Sequence, residues 1–359
     1  MKKLIFLIIT LVFLSKQDLF AQDNRFSQFN SSPLLLNPGL AGMGNGYSRA
    51  NINYRTQWTG IENSFKTTGI SIDLPIFSEK MNWKRGYIGT GLAFYTDKAG
   101  AGNLGTNEIN FVISSALFVG KNSKIALGIM GSYIQKSVNP DNIEWGSQYN
   151  GYEYNPELSS GENFAVVSTS IIDMSAGISY RYHTGSKAVT NNDQKLLELG
   201  LASFRLFEPK YEFLSDGESQ ISRRYVGHGK YLASINSSKF VVGGTFLYMM
   251  QNTSRELTFG PEFRYSLMTN TKYTGYLKDS YIGAQLLYRY KDAIIPVLFF
   301  KFGNFKLSGS YDYNLSALNG AGGKSVNGFE FSIQFNDFEG TLFGQGSKHV
   351  TMKGSTGNL

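Results

Sequence analysis

Residues 305–316, FKLSGSYDYNLS, decide the fold. Phe305, Leu307, Tyr311, Tyr313 and Leu315 alternate there with Lys306, Ser308, Ser310, Asp312 and Asn314. A period of two places one set on each face of an extended strand, apolar on one side and polar on the other. Gly303-Asn304, just before it, reads as a two-residue hairpin connection. The same pattern recurs outward along the chain. Ile52, Tyr54, Thr56 and Trp58 interleave with Asn51, Asn53, Arg55 and Gln57; Ile282, Ala284, Leu286, Tyr288 and Tyr290 oppose Gly283, Gln285 and Arg289; and Phe329, Phe331, Ile333 and Phe335 oppose Gly328, Glu330, Ser332 and Gln334. Ser237-Ser238 and Lys291-Asp292 mark further reversals.

A soluble sandwich strand alternates too, so strand length, number and aromatic ends must discriminate. These runs extend over about ten residues, the length a tilted membrane strand needs. Aromatics gather at their ends, as at Tyr180 and Tyr182 or Tyr311 and Tyr313, like the girdles at two membrane interfaces. The expectation is an all-β chain, a transmembrane antiparallel β-barrel of about fourteen strands. Their centres fall near residues 53, 70, 91, 112, 130, 178, 200, 232, 244, 262, 285, 297, 310 and 330. An even number returns both ends of the barrel to the periplasm. The longest gaps, residues 138–170, 206–227 and 316–324, then become external loops.

Composition agrees and excludes much else. Aromatics make up 14% of the 359 residues, charged residues 17%, and Gly reaches 40, a strand-and-turn composition. A mean hydropathy of -0.20 is too polar for a bundle of membrane helices. With no Cys, disulfides, thiolate metal sites and a thiol nucleophile are out, as is lipid attachment at an N-terminal cysteine. Three His residues make a histidine-rich metal centre improbable, and the net charge of +7, part of which belongs to the leader, does not suggest nucleic acid.

The chain divides into four expected parts. Residues 1–21 read as a secretory signal peptide, with Lys2 and Lys3 before the apolar stretch from Leu4 to Leu14 and cleavage after Ala21. Residues 22–47 form a Pro- and Gly-marked periplasmic or plug segment; three successive leucines, Leu34, Leu35 and Leu36, argue against a bare solvated linker. The barrel follows over residues 48–335, and a polar, Gly-rich tail over 336–359.

An ordered series of phrases resembles the PorP/SprF family, outer-membrane barrels of the Bacteroidetes associated with type IX secretion and gliding. They are RFSQFNSSPLLLNPGLAG at 25–42, YRTQWTGI at 54–61, TDKAG at 96–100, DNIEWGSQY at 141–149, DMSAGISYRY at 173–182, ASFRLFEP at 202–209, SRRYVGHGKY at 222–231, LLYRYKDAIIP at 286–296, SYDYNLSAL at 310–318 and GFEFSIQF at 328–335. Gly39-Leu40 stands where the family usually has Ala and an aromatic, and the tail extends past the usual end. The resemblance implies outer-membrane localisation, contact with outer-membrane lipids, and help with export and surface anchoring of specific adhesins in gliding bacteria. Implied partners are exported proteins bearing type IX cargo domains and periplasmic ring or gliding-machinery components. The alternative from strand count and polar inner face alone is a solute channel or porin-like transporter.

No nucleophile, base and orienter stand out, so the expectation is not an enzyme, with no cofactor, metal or nucleic-acid partner. His183 and His228 are lone strand-end histidines, more often structural than catalytic. Asp141, Glu144, Glu153, Glu157 and Glu162 share a loop without an EF-hand spacing. Candidate partner-binding residues are Asn37 and Pro38 in the N-terminal segment, Trp145 and Tyr149 in a long loop expected to be compact, the pair Arg223 and Arg224, and His228. The arginines suit a carboxylate or phosphate, or simply carboxylates of neighbouring strands.

Overall fold

A computed structural model describes residues 26–44, 46–60, 64–76, 86–100, 102, 104–139, 143–161, 167–184, 195–212, 218–235, 238–267, 280–316 and 327–337. The signal peptide, the tail beyond 337, Ser237, Asp141 and Glu162 lie outside the described residues. The first half of the wall is built from β1 (Ser48–Gln57), β2 (Phe65–Ile76), β3 (Gly86–Ala99), β4 (Leu104–Phe118), β5 (Ser123–Ser137), β6 (Ser168–Thr184) and β7 (Lys195–Phe204). A short ribbon, β8 (Lys210–Glu212) with β9 (Glu218–Gln220), stands apart as its own two-stranded sheet. The wall resumes with β10 (Arg224–Ser234), β11 (Phe240–Gln251), β12 (Ser254–Ser266), β13 (Tyr281–Arg289), β14 (Ala293–Phe302), β15 (Phe305–Asn314) and β16 (Gly328–Asp337).

Fourteen strands close into one antiparallel barrel, each beside its sequence neighbour, with β7 next to β10 and β1 next to β16. All fourteen expected centres fall within these strands. Closure runs the full length of β1, from Ser48 opposite Asp337 to Gln57 opposite Gly328, so this barrel has no free edge there. The end carrying Ser48 and Asp337 is called the terminal mouth below, and the opposite end the far mouth.

The wall is inverted relative to a soluble protein. Leu298 is 69% exposed on the outside, whereas Glu330 is 0% exposed on the inside. Outward Ile52, Leu92, Phe111, Ile129, Phe263 and Phe331 form the apolar band that a bilayer requires, and inward Asn51, Asn53, Arg55, Asn110 and Asp312 are buried. No helix among the described residues is long and apolar enough to cross a membrane.

Turn chemistry follows the sequence at the tight reversals. Gly303 takes a φ of 54° between β14 and β15, and Lys291 a φ of 58° between β13 and β14. Two expectations about loops need correction. Long connections are not confined to the far mouth, since residues 185–194 and 267–280 join strands at the terminal mouth. Nor is 206–227 all loop: Arg224 to Gly227 belong to β10, because their register continues opposite β7 from Phe204 to Leu201.

Candidate functional site inside the barrel

The interior is occupied by the chain's own residues 26–44. Three short turns compact this segment: a 3-10 turn at Phe29–Ser31, a single helical turn at Pro33–Leu36 and a second 3-10 turn at Pro38–Leu40. Pro33 and Pro38 each sit at a turn start, where a missing N–H costs nothing. Asn37 separates the last two turns, and its side-chain oxygen accepts from Gly39 N at 2.8 Å.

The segment runs from near the far mouth to the terminal mouth. At its head, Glu330 accepts from the backbone N–H groups of both Ser27 (2.6 Å) and Gln28 (3.0 Å), and Ser27 Oγ donates to Asp312. Two arginines hold that pair of carboxylates: Arg55 lies 2.8 Å from Asp312 and 3.8 Å from Glu330, while Arg289 reaches Asp312 at 3.2 Å and Asp292 at 2.9 Å. Lower down, Asn53 Nδ2 donates to Ser32 Oγ (2.8 Å) and Ser31 O (3.2 Å). At the foot, Ser179 Oγ donates to Gly39 O (2.6 Å), Ser114 Oγ to Ala41 O (2.7 Å), and Gly42 N to Asp73, which also pairs with Arg49 at 2.9 Å. Arg181 donates to Met43 O beside the terminal mouth.

Apolar packing accompanies the polar anchors. Leu34, Leu36 and Leu40 are buried with Phe29 against Val112, Met130, Leu247, Leu287 and Ile295. Burial of that kind contributes roughly 1.5–3 kcal/mol per leucine. The wall makes room by omitting side chains. A Cβ on Gly128 would lie 2.3 Å from the Pro38 carbonyl, one on Gly89 2.2 Å from Ala41 O, and one on Gly177 2.0 Å from Asn37 Oδ1. These strand glycines form the groove in which the segment's backbone lies.

Three of the sequence candidates meet here. Asn37, 0% exposed, donates to Ile178 O at 2.9 Å and stands 3.1 Å from His228 Nε2, and Pro38 lies buried against Gly128. All three touch the barrel's own groups, so none is presented to another protein in this state. Residues 26–44 are likewise not available as a free periplasmic docking strand.

The other candidates stand at the far mouth. Arg223 Nη2 donates to Leu206 O at 2.9 Å and faces Glu208 at 3.8 Å, whereas Arg224 covers the Phe204 ring at 4.5 Å. Hydrogen bonding within its own environment, from Tyr225 first and then the charge of Glu208, raises the Arg223 pKa above its ordinary value. Trp145 and Tyr149 flank the 3-10 turn Gly146–Gln148, which Gln148 fastens by donating to Leu158 O at 3.0 Å. Tyr149 also bridges to Tyr154. Compactness here comes from hydrogen bonds rather than aromatic burial, since Tyr152 is 94% exposed.

Sequence reasoning missed Ser27, Glu330, Asp312 and Arg55. Their polar character on a barrel's inner face was visible, but nothing local links residue 27 to residue 330.

Solved structures with similar folds are outer-membrane barrels. A toluene transporter from Ralstonia pickettii, TbuX, matches at 8% identity and TM-score 0.46, covering 86% of this chain and 94% of that one. A FadL homologue from Pseudomonas aeruginosa gives 9% and 0.47 (85% and 94% covered), and the Pseudomonas putida toluene transporter TodX 6% and 0.45 (85% and 92%). Such values describe barrels of similar span and say nothing of what this one carries. No curated protein matches the chain. Residues 19–335 match the family described as type IX secretion system membrane protein PorP/SprF.

Proposed function

Because this chain belongs to the PorP/SprF family of type IX secretion system membrane proteins, an outer-membrane barrel family, we propose that it is a plugged barrel serving export and surface anchoring of specific adhesins in gliding bacteria. The observation that carries the reading is the occupied lumen. Residues 26–44 fill the interior through paired backbone donors on Glu330 and a groove of wall glycines, so the inner face is built around a fixed segment rather than around a passing solute.

An even strand number leaves both ends of the barrel on one side, and we take that side, the terminal mouth, as periplasmic and the far mouth as external. Exported proteins with type IX cargo domains meet the far mouth, where Trp145, Tyr149 and Arg223 stand on ordered loops and Arg224 opens β10. Ring or gliding-machinery components act from the periplasmic side. A deletion strain tests this. Surface proteins compared by mass spectrometry should lose one or a few large members while small-solute uptake is unchanged. Unchanged surface proteins with slower uptake would mean a solute channel instead.

A further inference from the structure

Between the plug and the wall of β10–β15 lies a narrow cavity of about 20 Å³, lined by Gln28, Asn30 and Ser31 of the plug and by Lys230, Gln285 and Lys306 of the wall. By the same measure a water needs about 10–15 Å³, so the space takes one small particle and not a phosphate or carboxylate. Its chemistry is donor-rich. Glu262, also on the cavity, already uses one oxygen on Lys230 (3.1 Å) and the other on Arg264 (2.6 Å). Across the β7–β10 ladder from Lys230, Glu198 faces Arg181 at 3.9 Å.

Lys306 lies among Lys230, Arg264, Lys301 and Glu262, and its ammonium has no ion pair among the described residues, only the face of Phe299 at 4.7 Å. Gln285 Nε2 is buried without an acceptor, as is Arg264 Nη1. Three cations, Lys230, Arg264 and Lys306, thus gather round the carboxylate of Glu262, and the second carboxylate within reach, Glu198 opposite Lys230, is shared with Arg181. Surplus positive charge away from bulk water is costly, and a bound anion offsets it where a neutral water does not.

We propose that this cavity binds a monatomic anion of the chloride class, held by Lys306, Lys230 and Gln285 and closed in by Gln28, Asn30 and Ser31 of the plug. The anion then ties plug to wall. Nothing in this depends on the secretion role.

The test uses the full mature chain refolded in detergent. Its thermal unfolding midpoint is followed as chloride replaces gluconate at constant ionic strength. A saturating rise is expected, because a ligand held only by the folded state stabilises it. Lys306→Met should abolish the rise and Gln285→Leu should weaken it. Should the Lys306 variant not refold, crystals of the unaltered protein soaked in bromide decide: anomalous density in the cavity supports the site. A chloride-independent midpoint with no bromide there overturns the proposal, and so does an equal rise with sulfate, which the cavity is too small to admit.

Discussion

The backbone N–H of Ser27 donates to Glu330 Oε2 across 2.6 Å although 303 positions separate the two residues. Glu330 lies on the strand that closes the barrel against β1, so the head of the plug is fastened to the closing seam itself. Glu330→Gln keeps the shape but loses the charge and one acceptor oxygen facing Ser27 and Gln28. Stability should fall by about 1–3 kcal/mol, read as a lower denaturation midpoint, with faster hydrogen exchange confined first to residues 26–32.

Gly128 and Gly131 make a matched pair on β5. A methyl at Gly128 meets the Pro38 carbonyl, while one at Gly131 meets nothing within 4 Å. Gly128→Ala should displace the plug and produce steady single-channel conductance in planar bilayers. Gly131→Ala should stay within about 0.5 kcal/mol of the parent and remain silent. Equal behaviour of the two variants would remove the groove argument.

Asn37 joins the plug to β6 and to His228 at once. Asn37→Leu leaves the Ile178 carbonyl and the His228 ring without their partner. A loss of about 1–3 kcal/mol follows from unsatisfied buried groups. His228→Ala should lose less in the Asn37→Leu background than alone, which a double-mutant cycle measures.

Pro261 on β12 and Pro296 on β14 flank Leu286 on β13 in one row of the wall. The β12–β13 ladder skips Gly260 and Pro261, and the β14–β15 ladder skips Ile295 and Pro296. Each gap follows from a residue that lacks an N–H to donate. Amides on β13 and β15 near this row should therefore exchange faster than those in the unbroken ladder of β4 and β5, and Pro261→Val should slow them. Uniform exchange around the barrel would count against a weakened row.

The loop between β5 and β6 should resist protease on intact cells through residues 143–161. Asn150 accepts from the backbone of Tyr152 and Glu153, and Ser147 donates to Ser160 O, so the loop is cross-tied at several points. Rapid cleavage within it would contradict that order.

The sequence alone determined the wall. Alternation in residues 305–316 and 281–290 is a local property of the strand, readable because side chains two apart share a face whatever lies beyond them. The two-residue turn at Gly303-Asn304 was legible for the same reason. Asn37 and His228 could be singled out, but not joined: they come together only when β6, β7 and β10 are neighbours around a closed wall. Whether Leu34 and Leu36 sat in the lumen or on a periplasmic partner was likewise undecided by their own hydrophobicity, which asks only for burial. The tertiary structure chose the lumen, where strand glycines leave space and Glu330, Asn53 and Ser179 supply partners hundreds of residues away in some cases. Those contacts depend on barrel closure, a global condition that no window of sequence contains.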